Sequence, residues 1–109
     1  MIISTDRSFN TIIFECIDRG LSSIFGEDAV RALYFAAQQK FGVSKEDLDK
    51  RPVELIGCLE EILGNAGSAL IEKAIIGEIR SEFNINEVKA ELHLSEAIEL
   101  AKKSFLLRN

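Results

Sequence analysis

Three groups of residues in this 109-residue chain are of types that could do chemistry. The first is His93, the only histidine, together with Cys16 and Cys58. An imidazole and two thiolates would suit zinc, but no two of these residues stand at the short spacing from which zinc sites are built. Nucleophilic catalysis fails on the same residues. There is no second histidine, and neither cysteine sits in a recognisable motif with a lysine or an acid. The second group is paired carboxylates: Glu60 with Glu61, Asp47 with Asp49, and Glu78 with Glu82. Acid–base work needs two groups converging on one substrate. Neighbours on a helix point about 100° apart, and the other pairs fall on polar faces, so a solvated acidic surface is expected. The third is Gly64-Asn65-Ala66-Gly67-Ser68, whose backbone N–H groups ahead of a helix could cradle an anion. It lacks the phosphate-loop lysine and follows a helix rather than a strand. It therefore reads as a turn with Ser68 as N-cap. No catalytic residue, metal ligand or cofactor site is assigned, and the chain is expected not to be an enzyme.

The elements that would have to position any site are those of a single domain spanning residues 1–109, a length that supports one core without staples. An apolar fraction of 47% without low-complexity tracts argues against disorder. No apolar run approaches the ~20 residues of a membrane span. Met1 to Arg7 shows no basic stretch followed by an apolar one, so no secretory leader and a cytoplasmic location are expected. In that compartment Cys16 and Cys58, each inside an apolar periodic stretch, are expected to be reduced core thiols. The net charge of −5 is concentrated in residues 44–84, where nine acids face five bases. Without a basic block, neither nucleic acid nor an anionic membrane surface is an expected partner. The acidic middle could instead steer a basic protein.

Helical periodicity covers most of the chain. From Ser8 to Phe25, Ile12, Ile13, Cys16, Ile17 and Leu21 make a wide stripe, weakened or bent at Gly20. Glu27 and Asp28 open a second helix carrying Val30, Leu33, Tyr34, Ala37 and Phe41 on one side, with Phe35 off it. Ser44 to Asp47 has the spacing of a capping box and predicts one short turn ending near Lys50. Pro52 suits the first turn of a third helix, and Ala69 to Phe83 is a fourth, broad and apolar, with Gly77 at a cost of about 1 kcal/mol unless it permits close packing. Gly26, Gly42 and Gly64 each stand where a left-handed C-cap belongs. Residues 85–94 alternate apolar and polar, consistent with an extended segment or with a helix, and Ser95 is expected to cap a last helix. The predicted fold is all-α, a compact bundle of about five helices with one extra helical turn.

Seven phenylalanines and one tyrosine exceed what narrow stripes require. Either one core buries them all, or the surplus marks an interface, where aromatic residues concentrate. Phe9, Phe14, Phe25 and Phe35 are the candidate interface residues. Broad helical stripes commonly pair with a copy of themselves across a two-fold axis, so a homodimer is expected. The alternative is a small-molecule site, an apolar pocket between helices lined by Cys16, Tyr34, Phe35, Cys58 and Ile75.

Over roughly residues 25–84, the segments Ala32-Leu33-Tyr34, Lys40-Phe41-Gly42, Arg51-Pro52-Val53 and Leu59-Glu60-Glu61-Ile62-Leu63-Gly64 resemble the archaeal nitroso-type output domain family. The resemblance implies an all-helical, non-catalytic signalling-output module working by protein–protein contact. Members of that family accompany sensor or receiver modules.

Overall fold

Apolar residues recurring at three- and four-residue intervals build four helices and one short turn in the computed structural model, which describes residues 8–48, 50–85 and 92–107. Helix α1 spans Phe9–Phe25, α2 Glu27–Phe41, α3 Pro52–Phe83 and α4 Leu94–Leu107, with a single 3₁₀ turn at Lys45–Asp47. The all-α class is as read from the sequence, and no strand occurs among the described residues. The Cα radius of gyration, 14.0 Å, is near the ~13 Å of a compact chain of this length.

The expected five helices are four, because the third and fourth are joined. The five-residue turn predicted at residues 64–68 shrinks to one residue, Gly64, with φ 80° and ψ 176° inside α3. Gly26, the single residue between α1 and α2, has nearly the same backbone, φ 83° and ψ 166°. Both are corners in an extended, positive-φ conformation that is essentially reserved for glycine. The left-handed cap predicted at all three glycines is therefore found only at Gly42, with φ 64° and ψ 25°. Asn84 ends α3 in the same left-handed way, with φ 53°.

Three predicted caps are corrected. Ser68 lies inside α3, buried, and its hydroxyl donates to the Ile56 carbonyl at 3.5 Å, linking the two arms that meet at Gly64. Ser44 makes no side-chain cap; its hydroxyl donates to Asp47 Oδ2 at 3.1 Å, because a single 3₁₀ turn lets the two side chains meet each other. Ser95 lies one residue inside α4. The His93 N–H donates to Glu96 Oε1 at 2.9 Å, and the Leu94 N–H donates to Glu72 Oε2 at 2.8 Å, so two carboxylates satisfy the start of α4. Of the ambiguous segment, Ile85, Leu92 and His93 are non-helical, and residues 86–91 lie outside the described set.

The core is assembled mainly by α1 against α3, with α4 packed on α3 and touching the start of α1, and α2 packed on both α1 and α3. Ile13, Ile17 and Leu21 meet Leu55, Leu59, Ile75, Ile79 and Phe83, all essentially without solvent contact. Gly20 does not bend α1. It lets the helix approach α3, where an added Cβ would lie 2.8 Å from Ile75 Cγ1 and 2.9 Å from its Cα. Arg51 fixes the entry to α3 by donating to the Gly42 and Phe41 carbonyls at 3.0 and 3.3 Å, which satisfies the end of α2.

Candidate interaction surface

The two corners sit beside each other and create a groove. Phe25 precedes Gly26 at the end of α1, and Leu63 precedes Gly64 at the end of the first arm of α3. Between them, Ala29, Ala32 and Leu33 of α2 and Ile62 of α3 complete the wall of an open apolar cleft of about 210 Å³. The small side chains Ala29 and Ala32 leave it hollow, and both are exposed. Ile62 at its edge is 48% exposed, and Ile24 in the last turn of α1 is 43% exposed. An ion pair bridges α2 to α3 nearby, with Lys40 Nζ 2.8 Å from Glu61 Oε1. That hydrogen bond raises the lysine pKa and keeps the ammonium charged.

Of the four candidate interface residues, only Phe25 lines this cleft. Phe9 is partly buried, its ring 5.8 Å from that of Phe83 and 5.5 Å from that of Phe105. Phe14 packs on the core with its ring 5.8 Å from that of Tyr34, and Lys45 Nζ lies over both rings. These two belong to the packing of the domain. Phe35 is 66% exposed on the outer side of α2 and does not join the cleft.

The residues considered for an inter-helix pocket are not brought together around a space. Cys16, Cys58 and Ile75 are fully buried in one core cluster, Phe35 faces outward, and Tyr34 is half-buried. The Tyr34 hydroxyl donates to Asp18 Oδ1 at 2.7 Å, and burial followed by that bond pushes its pKa up. The four described clefts are lined by other residues. Both thiols are free. Burial pushes Cys16 up to about 11, with Arg19 opposing and nearby carboxylates adding to the rise, and it also raises Cys58. Neither is a thiolate near neutral pH, so neither is a nucleophile there.

The three carboxylate pairs differ in what their members meet. Glu78 and Glu82 both hold Arg19 of α1, at 2.9 Å to its Nε and 3.1 Å to its Nη2. They are thus a clamp between α1 and α3 rather than the merely solvated face expected, because Arg19 reaches them across the helix pair. Asp47 accepts from Ser44, and Asp49 lies outside the described residues. His93 is exposed, with Nδ1 3.9 Å from Glu72 Oε2. Among the described residues no three His, Cys, Asp or Glu side chains form a group that could hold a metal ion, and no helix is long and apolar enough to cross a membrane.

The cleft depends on two helix ends meeting in space, so neither composition nor periodicity displays it. The available signal was the shared pattern of an apolar residue before a glycine corner, Phe25-Gly26 and Leu63-Gly64. Comparison with protein-family models, curated proteins and solved structures finds no match for this chain.

Proposed function

We propose that this chain is a non-catalytic interaction module that works by protein–protein contact, with a second copy of itself as its partner. The observation that carries this reading is the exposed apolar cleft at the two corners, with the half-exposed Ile62 in its wall. Apolar surface of this kind, open to water, stabilises an association when it is covered. An output-type role in signalling, as the family resemblance implies, fits a domain whose two thiols are buried and whose Glu78 and Glu82 carboxylates hold Arg19.

Small-molecule binding has less support. The interior expected to host a ligand is filled by side chains, and the larger surface hollows, of about 320, 360 and 500 Å³, are open and lined by none of the residues expected to form a pocket. Sedimentation velocity over a wide concentration range tests the proposal. The expected result is a species of twice the 12.1 kDa chain mass that dissociates on dilution. A 12.1 kDa particle at every concentration would overturn the reading.

A further inference from the structure

The last turns of α4 carry an exposed face that matches the cleft in both shape and charge. Leu106 is 62% exposed and Leu107 85% exposed, the largest exposure of any large apolar residue described. Lys102 and Lys103, also exposed, precede them by three to five residues and so share their side of the helix. The first turn of α2, which carries Ala29 of the cleft, bears the exposed Glu27 and Asp28 against Arg31, while Glu61 is held by Lys40, so the acidic side of the cleft is the start of α2. Two leucines flanked by two lysines are the complement of an apolar hollow bordered by carboxylates. A cavity of ~150 Å³ holds a benzene ring, so the cleft of about 210 Å³ has room for a leucine side chain.

The chain cannot fill its own cleft with this face. Phe105, beside Leu106, stacks at 5.5 Å on Phe9 in the first turn of α1, whereas Phe25 of the cleft lies in its last turn. Sixteen residues of helix at about 1.5 Å each separate those two points by about 24 Å. The complementary surface must come from another molecule, and the same chain carries both halves.

Resting on the homodimer reading, we infer that the cleft between α2 and the first arm of α3 receives the Leu106–Leu107 end of α4 from a second copy. Each copy then offers one end and one cleft, and two reciprocal contacts close a two-fold dimer. Leu106 enters the hollow over Ala29 and Ala32, Leu107 covers its rim, and Lys102 and Lys103 lie towards Glu27 and Asp28. Covering both patches removes Leu106, Leu107 and Ile62 from water.

Two complementary variants of the full chain test this. One is L106D/L107D, which spoils the end and keeps the cleft; the other is A32E, which blocks the cleft and keeps the end. Both changes are at exposed positions, so circular dichroism should show unchanged helicity; if A32E is misfolded, I62E replaces it. Each variant alone is expected to associate at least about tenfold more weakly than the parent, and a mixture of the two is expected to recover a heterodimer held by one intact contact. A variant as dimeric as the parent, or a mixture that stays monomeric, would overturn the end-into-cleft contact while the dimer itself stands. A parent that is monomeric at every concentration would remove the dimer reading and this contact together.

Discussion

Gly20 and Ile75 mark a close approach of α1 to α3: a Cβ on Gly20 would lie 2.8 Å from Ile75 Cγ1 and 2.9 Å from Ile75 Cα. The second neighbour is backbone and cannot swing away. A Gly20→Ala substitution must therefore push the helices apart, despite alanine's better helix propensity, and should destabilise the fold by about 1–3 kcal/mol. Gly77, also inside a helix, has nothing within 4 Å of where a Cβ would stand. Gly77→Ala should stabilise by about 1 kcal/mol, the ordinary propensity gain. Urea midpoints moving in opposite directions for the two variants are the expected outcome, and a shared direction would refute this account of α1 against α3.

The corners make a second pair of contrasts. Gly42, with φ 64° and ψ 25°, is in the left-handed region that asparagine tolerates, whereas Gly64, with φ 80° and ψ 176°, is not. Gly42→Asn should therefore change the thermal midpoint little. Gly64→Asn should lower stability by about 1–3 kcal/mol, the strain of a non-glycine residue at such a position. Equal losses at the two sites would mean that the corner at Gly64 relaxes freely.

Much of the fold is legible in the spacing of apolar residues, and little of the surface is. The stripes Ile13, Ile17, Leu21 and Val30, Leu33, Ala37 announce α1 and α2, because a helix buried on one side must repeat near 3.6 residues. The 64–68 segment misleads, because Asn, Gly and Ser favour turns locally, yet burial of Ser68 and continued packing against α1 keep the backbone helical from residue 65 onward. Ser95 misleads for a related reason. The Glu72 carboxylate that holds the start of α4 is 22 residues away in sequence, beyond any local pattern. The aromatic surplus is likewise a tertiary question: Phe9 and Phe14 are both candidate interface residues in the sequence, but Phe9 has Phe83 and Phe105 to meet and Phe14 has Tyr34.

Alkaline pH should loosen the core through Cys16. Its thiol, fully buried, has a pKa moved from the usual 9.0 to about 11, so the folded state holds the proton more tightly than the unfolded chain. A raised folded pKa stabilises fully below the unfolded value and fades as pH climbs through the folded one. Stability should thus fall between about pH 9 and 11, and Tyr34, shifted in the same direction, extends the loss above its own unfolded pKa. Thermal midpoints measured across this range should decline less steeply for Cys16→Ala than for the parent. Parallel slopes would show that the thiol does not titrate with unfolding.

Salt should separate two polar ties of α1. Arg19 meets Glu78 and Glu82 as an ion pair at 2.9 and 3.1 Å, with partly exposed side chains on both sides. Such a pair contributes about 0.5–1 kcal/mol and weakens as mobile ions screen it. Tyr34 donates to Asp18 at 2.7 Å from a neutral hydroxyl, half-buried beside Phe14, so no pair of opposite charges is there to screen. Tyr34→Phe keeps the ring stacked on Phe14 and removes only the hydroxyl, leaving the Asp18 carboxylate without that donor. It should cost about 1–2 kcal/mol, by a similar amount at low and at high salt. Arg19→Met should cost less overall, and its cost should shrink towards zero as salt rises. A Tyr34→Phe deficit that vanished in high salt would show that the α1–α2 tie is long-range attraction rather than a directed hydrogen bond, and a salt-independent Arg19→Met deficit would assign Arg19 to packing through its methylene stem rather than to its charge.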